Sequence, residues 1–118
     1  MSTTAFNMGG SKRILWKNPN PKESFASQTI TVPMLASYME KGKDVYITAM
    51  QDASGSTAIC TTILAKKCYL AYPIAKNTRT RTVQYTGGDS ITFGTGTLVP
   101  EGGSYNFICV PQEVYVYI

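Results

Sequence analysis

Apolar and polar residues alternate along most of this chain with a period of two, in short runs separated by glycine, proline, asparagine and aspartate. That period sends successive side chains to opposite faces of an extended strand. Ile14-Leu15-Trp16 forms the first short strand, stopped by Asn18-Pro19-Asn20-Pro21. Each proline there lacks an N–H and biases the residue before it away from helix, so this stretch is a turn or an extended loop. Gln28–Val32 alternates and ends at Pro33. Met34–Lys41 is different: Met34, Leu35, Tyr38 and Met39 fall at helical spacing and Gly42 follows where a helix would end, although a loop with apolar anchors fits nearly as well.

Beyond that point the strand signal is steady. Asp44–Met50 sets Val45, Ile47 and Ala49 against Tyr46, Thr48 and Met50, and Asp52–Ser56 is a cluster of turn residues. Thr57–Ala65 and Cys68–Tyr72 follow, divided by Lys66-Lys67. Arg79–Tyr85 alternates and is expected to turn its charged face outward; Thr86–Asp89 then turns the chain into Ser90–Phe93. Gly94-Thr95-Gly96 lacks the remaining elements of a phosphate loop and reads as a turn between strands. Tyr105–Val110 and Glu113–Ile118 close the series on either side of Pro111. Eight or nine short strands at spacings of about 8–12 residues predict an all-β fold, a single β-sandwich of jelly-roll character.

Composition supports this picture. At 118 residues and 43% hydrophobic the chain suits one domain, placed at 13–118 behind a polar, glycine-containing arm at 1–12. Five leucines are few for a helical bundle, whereas eight tyrosines with many Thr, Val and Ile suit pleated, half-buried surfaces. The net charge is +4, but the cations are scattered from Lys12-Arg13 to Arg81, so specific nucleic-acid binding is not expected. No run is long and apolar enough for a membrane-spanning helix and no secretory leader is evident, so synthesis in a reducing cytoplasm is expected. Cys60, Cys68 and Cys109 are an odd set without metal-site spacing and are expected to be free, mostly buried thiols.

Candidate chemistry is sparse. The chain has no histidine, which removes the commonest general base and a frequent zinc ligand. Its seven carboxylates stand singly; a glycosidase-type pairing, such as Asp52 with Glu101 or Asp89, has nothing in the sequence to favour it. Neither an enzymatic activity nor a cofactor is expected. The aromatic residues remain: Trp16, Tyr46, Tyr85, Tyr105, Tyr115 and Tyr117 are the candidate binding or interface residues, as a sugar-stacking platform or as packing at a subunit interface. Tyr115 and Tyr117 share one strand face, with Val114, Val116 and Ile118 on the other, so one face should meet the core and the other a partner or another layer.

Arg13-Ile14-Leu15-Trp16-Lys17-Asn18-Pro19-Asn20-Pro21, followed by Ser24-Phe25-Ala26-Ser27-Gln28-Thr29-Ile30, resembles the opening of small β-domains at the C-terminal ends of tail and fibre-like proteins from tailed phages of gut bacteria. Ile91-Thr92-Phe93-Gly94, Phe107–Pro111 and Tyr115–Ile118 continue that order of short motifs over roughly residues 13–118. The resemblance implies a virion structural protein, tail-, fibre- or decoration-associated, that contributes to attachment to the host surface. It also implies other virion proteins as partners, a homo-oligomer with a trimer as first expectation, and a bacterial surface glycan as a possible ligand. In those proteins the domain usually caps a longer chain, so here attachment to the particle is expected through Met1–Lys12. The loops Asn18–Ser24, Ala53–Thr57, Gly87–Ser90 and Gly94–Gly103 are expected to gather at one end as the receptor-facing surface. The alternatives are a carbohydrate-binding module acting alone and an inhibitor acting in the host cytoplasm.

Overall fold

The computed structural model describes residues 10–53 and 58–118; most of the arm expected at Met1–Lys12, and the turn residues 54–57, lie outside the described residues. Eight strands and one short helix follow in the order β1 (Lys12–Lys17), β2 (Gln28–Thr31), α1 (Leu35–Glu40), β3 (Tyr46–Asp52), β4 (Ile59–Ile63), β5 (Cys68–Ile74), β6 (Asn77–Tyr85), β7 (Ser90–Val99) and β8 (Ile108–Tyr117). They form two antiparallel four-stranded sheets, β1-β8-β3-β4 and β2-β7-β6-β5. The protein is an all-β sandwich. Its jelly-roll character lies in the long-range pairings: β8 returns to sit between β1 and β3, and β7 sits beside β2. The other neighbours are hairpins of consecutive strands.

Inward residues of the two sheets build the core, with Val32, Ile47, Ala49, Leu70, Val83, Ile91, Phe93, Val114 and Val116 fully buried. The ambiguous segment after Pro33 is helical, and it plugs one end of the sandwich with Leu35 and Tyr38. Gly42 stops it in a left-handed conformation (φ 73°), and Gly42 and Lys43 donate backbone hydrogen bonds to Met39 and Tyr38. At the same end Ser11 and Ile118 exchange backbone hydrogen bonds of 2.8 and 2.9 Å, extending the β1–β8 ladder.

Four local expectations are corrected. Pro111 does not divide two strands: β8 runs through it, with a register shift that leaves Gln112 unpaired between Glu113↔Thr48 and Pro111↔Ala49. A bulge is where a central strand tolerates a residue without an N–H. Gly94-Thr95-Gly96 is likewise strand, inside β7. A Cβ on Gly96 would collide with the carbonyl oxygen of Tyr105 and approach the side chain of Ile108 to 2.6 Å, so glycine is required by packing there and not by turning. The expected loop cluster is also divided, because hairpin reversals alternate between the ends of a sandwich. The β6–β7 turn at Gly87–Ser90 lies beside Val32 and α1, at the opposite end from the β7–β8 connection and the loop after β1.

The fourth correction concerns β6. Thr78, Thr80 and Thr82 face solvent, while Arg79 and Arg81 turn inward. Arg81 is completely buried. Its guanidinium donates to five carbonyl oxygens: Cys109 (2.8 Å), Phe25 (2.9 Å), Gly94 (2.7 Å), Asn106 (3.2 Å) and Ile108 (3.0 Å). The planar fork thus ties β6 to β7, to the start of β8 and to the loop before β2. Burial lowers its pKa to about 10, well above neutrality, so the cation persists at pH 7. Arg79 pairs with Asp52 of β3 at 2.8 Å, across the two sheets.

Candidate functional site

Tyr46, Tyr115 and Tyr117 converge on the outer face of the β1-β8-β3-β4 sheet. Tyr46 and Tyr115 are directly opposite each other in the β3–β8 ladder, and their rings stack at 5.4 Å with an interplanar angle of 18°. Tyr117, two residues along β8, meets both edge-on at 5.7 and 5.6 Å. The trio results from alternation on β8 combined with the register of β3. It is surrounded by apolar surface on the same face: Ile14 of β1 is 43% exposed, Ile63 and Ile59 of β4 are 46% and 56% exposed, and Tyr117 is 38% exposed. Tyr115 itself is 8% exposed, because its neighbours and Lys12 cover it.

Two of the charges on this face, Lys12 and Glu113, are matched to each other, and Lys17 lies opposite Glu113 in the β1–β8 ladder. Lys12 Nζ lies 4.2 Å from the Tyr115 ring centroid and 2.9 Å from Glu113 Oε1. The Glu113 hydrogen bond raises the Lys12 pKa, and burial chiefly raises that of Tyr115. Beside the tyrosines, Lys17, Thr48, Ile59, Gln112, Glu113 and Lys12 line a shallow cleft of about 280 Å³. The bulged Gln112 reaches across to the loop after β1, donating from Nε2 to the Pro21 carbonyl at 2.9 Å.

The other aromatic candidates lie apart from this group. Trp16 is half-buried against Phe25 and Phe93, at ring distances of 6.4 and 6.5 Å, because the β1 bulge between Ile14 and Trp16 turns it toward the core. Tyr85 donates its hydroxyl to the Gly88 carbonyl at 2.8 Å and fastens the β6–β7 turn. Tyr105 packs against Phe107 at 5.7 Å near the opposite end. Ile14, Ile59, Ile63 and the Lys12–Glu113 pair complete the face and were not singled out from the sequence. Their shared outward position becomes visible only once β1 and β4 are known to border the strands that carry the tyrosines.

Among the described residues no group of three or more His, Cys, Asp or Glu side chains is placed to hold a metal ion. The three cysteines are free, with Cys109 buried and Cys60 and Cys68 half-buried. Cys60 donates to the Ala49 carbonyl at 3.8 Å within its own sheet, and Cys109 donates across to the Arg79 carbonyl of the other sheet at 3.3 Å. Interaction between the neighbouring Cys60 and Cys109 thiols lowers the Cys60 pKa and raises that of Cys109, while burial raises that of Cys68. Because the thiolate is the reacting form, iodoacetamide at neutral pH is expected to label Cys60 ahead of Cys68 and Cys109. Peptide mass mapping of a time course reads the order, and faster labelling at Cys68 would contradict it.

No protein-family model, curated protein or solved structure matches this chain.

Proposed function

We propose that this chain is a non-catalytic structural module of a phage particle, which associates with copies of itself through the outer face of the β1-β8-β3-β4 sheet and contributes to attachment to the host. The observation that carries the reading is the aromatic–apolar face itself. Ile14, Tyr115, Tyr46 and Ile63 form one row across the four strands with Tyr117 beside it and Ile59 further along β4, and of the charged residues on the face Lys12 and Glu113 pair with each other. Contiguous apolar surface of this kind favours association, and self-packed rings offer little free face to a sugar. The resemblance of the Arg13–Ile30 segment to phage tail and fibre domains supplies the setting.

Sedimentation equilibrium of the purified chain is expected to give a multiple of the 12.9 kDa protomer, a trimer being the first expectation. Tyr117→Arg combined with Ile63→Lys introduces charge at two exposed positions of the face and is expected to weaken association by about thirtyfold or more, with little change in melting temperature. A wild-type chain that remains monomeric at high concentration overturns the self-association. Mass spectrometry of purified virions tests the setting: stoichiometric presence supports it, and absence overturns it.

A further inference from the structure

We propose that the opposite outer surface, that of the β2-β7-β6-β5 sheet, is a binding face for a neutral polysaccharide chain. The inference deepens the attachment half of the reading above and is independent of self-association. Strand alternation and register lay out this face in rows. Thr29 of β2, Thr92 of β7 and Gln84 of β6 form one row, and Tyr69 of β5 lies opposite Thr82 of β6. Ala71, Thr80 and Thr97 form another, with Pro73, Thr78 and Val99 beyond it. No strand position on this face carries a charge.

The threonine hydroxyls are pre-positioned. Thr29 and Thr92 share a hydrogen bond of 2.9 Å between their Oγ1 atoms, and Thr80 and Thr97 share one of 2.8 Å. In each pair one hydroxyl donates to the other, which keeps its own hydrogen, and lone pairs remain on both, so the pair still presents a donor and acceptors to a ligand. Any side chain at Gly94 would strike the Thr82 hydroxyl, so glycine leaves that group its place. β-Branched threonine on a sheet has little rotamer freedom left to lose on binding.

Cross-strand threonine pairs also stabilise sheets by themselves, and that contribution is present here. It does not account for the absence of charge, because the other exposed face of the same protein carries Lys12, Lys17 and Glu113. An uncharged array of fixed hydroxyls matches a polymer whose own groups are hydroxyls, each able to donate and accept. Tyr69, 50% exposed beside Thr82, adds an aromatic surface for the C–H face of a sugar ring. A polyanion would find no cation at the outward positions of these strands, since Arg79 and Arg81 of β6 turn inward.

The test is affinity electrophoresis of the full chain through gels containing dextran, mannan, galactan or arabinoxylan, with heparin as the charged comparison. At least one neutral polysaccharide is expected to retard the wild-type chain. Tyr69→Ala and the double variant Thr80→Val, Thr82→Val are each expected to weaken that retardation about tenfold, while melting temperature and sedimentation stay as in the wild type. No retardation by any neutral polysaccharide, retardation undiminished in both variants, or equal retardation by heparin overturns the proposal. Loss of glycan binding with self-association and virion incorporation intact removes this inference alone. Glycan binding by a chain absent from virions removes the structural reading and leaves this one standing.

Discussion

Arg81→Met is expected to destabilise the protein by about 4 kcal/mol or more, a large part of the roughly 5–15 kcal/mol that holds a domain of this size folded. Methionine approximates the length of the aliphatic stem but donates nothing. Five carbonyl oxygens, from Phe25, Gly94, Asn106, Ile108 and Cys109, would lose a charge-assisted donor together. Each buried acceptor left without a partner costs about 1–3 kcal/mol, and entering water can recover only part of that sum. Arg81→Lys keeps the charge but offers three hydrogens from a single nitrogen, which cannot reach carbonyls spread around a planar fork. It should therefore lose a substantial fraction of the same stability. Urea denaturation of the two variants against the wild type measures both values, and a loss below about 1 kcal/mol for Arg81→Met would show that the carbonyl cage does not hold the sheets together.

Phe93→Ala should be nearly as damaging, by about 3–5 kcal/mol, for a different reason. Phe93 is fully buried on β7, edge-on to Phe25 at 5.5 Å and 6.5 Å from Trp16. Truncation opens a cavity that Trp16 and Phe25, held by the β1 bulge and by the backbone bond from Phe25 to Asn106, cannot fully close. The emission of Trp16, the single tryptophan, should shift to the red as water enters. Because Phe25 contacts both Phe93 and the Arg81 guanidinium, Phe25→Ala and Phe93→Ala together should cost less than the sum of the two. Strict additivity would mean that the aromatic cluster does not act as one unit.

Both predictions fall on β6 and β7, and those strands also mark the boundary of what could be read in advance. Alternation in Thr78–Thr82 assigns threonine to one face and arginine to the other, and this pattern is local. Which face points inward is not local. It depends on carbonyl groups contributed by Phe25, Asn106 and Ile108, far away in sequence, which meet Arg81 only when the sheets close. The usual expectation that charge faces water therefore fails here, and it fails together with the face on which the polysaccharide proposal is built. A similar limit applies to the tyrosines. The pairing of Tyr115 with Tyr117 on one face follows from their spacing, but the arrival of Tyr46 beside them depends on β3 lying against β8.

By itself, then, the sequence determined the strand character of nearly every element, the two-layered all-β class, and the shared face of Tyr115 and Tyr117. These follow from a period-two pattern that any extended chain obeys. Only the tertiary structure decided that Pro111 could sit inside a central strand, that Gly94 and Gly96 belong to a strand rather than a turn, that Trp16 packs inward and that Arg81 is the buried centre. Each of these depends on a partner strand: a bulge that absorbs the missing N–H, carbonyl oxygens that exclude a Cβ, or acceptors that satisfy a charge. Such partners belong to other strands and loops of the fold, where no local pattern records them.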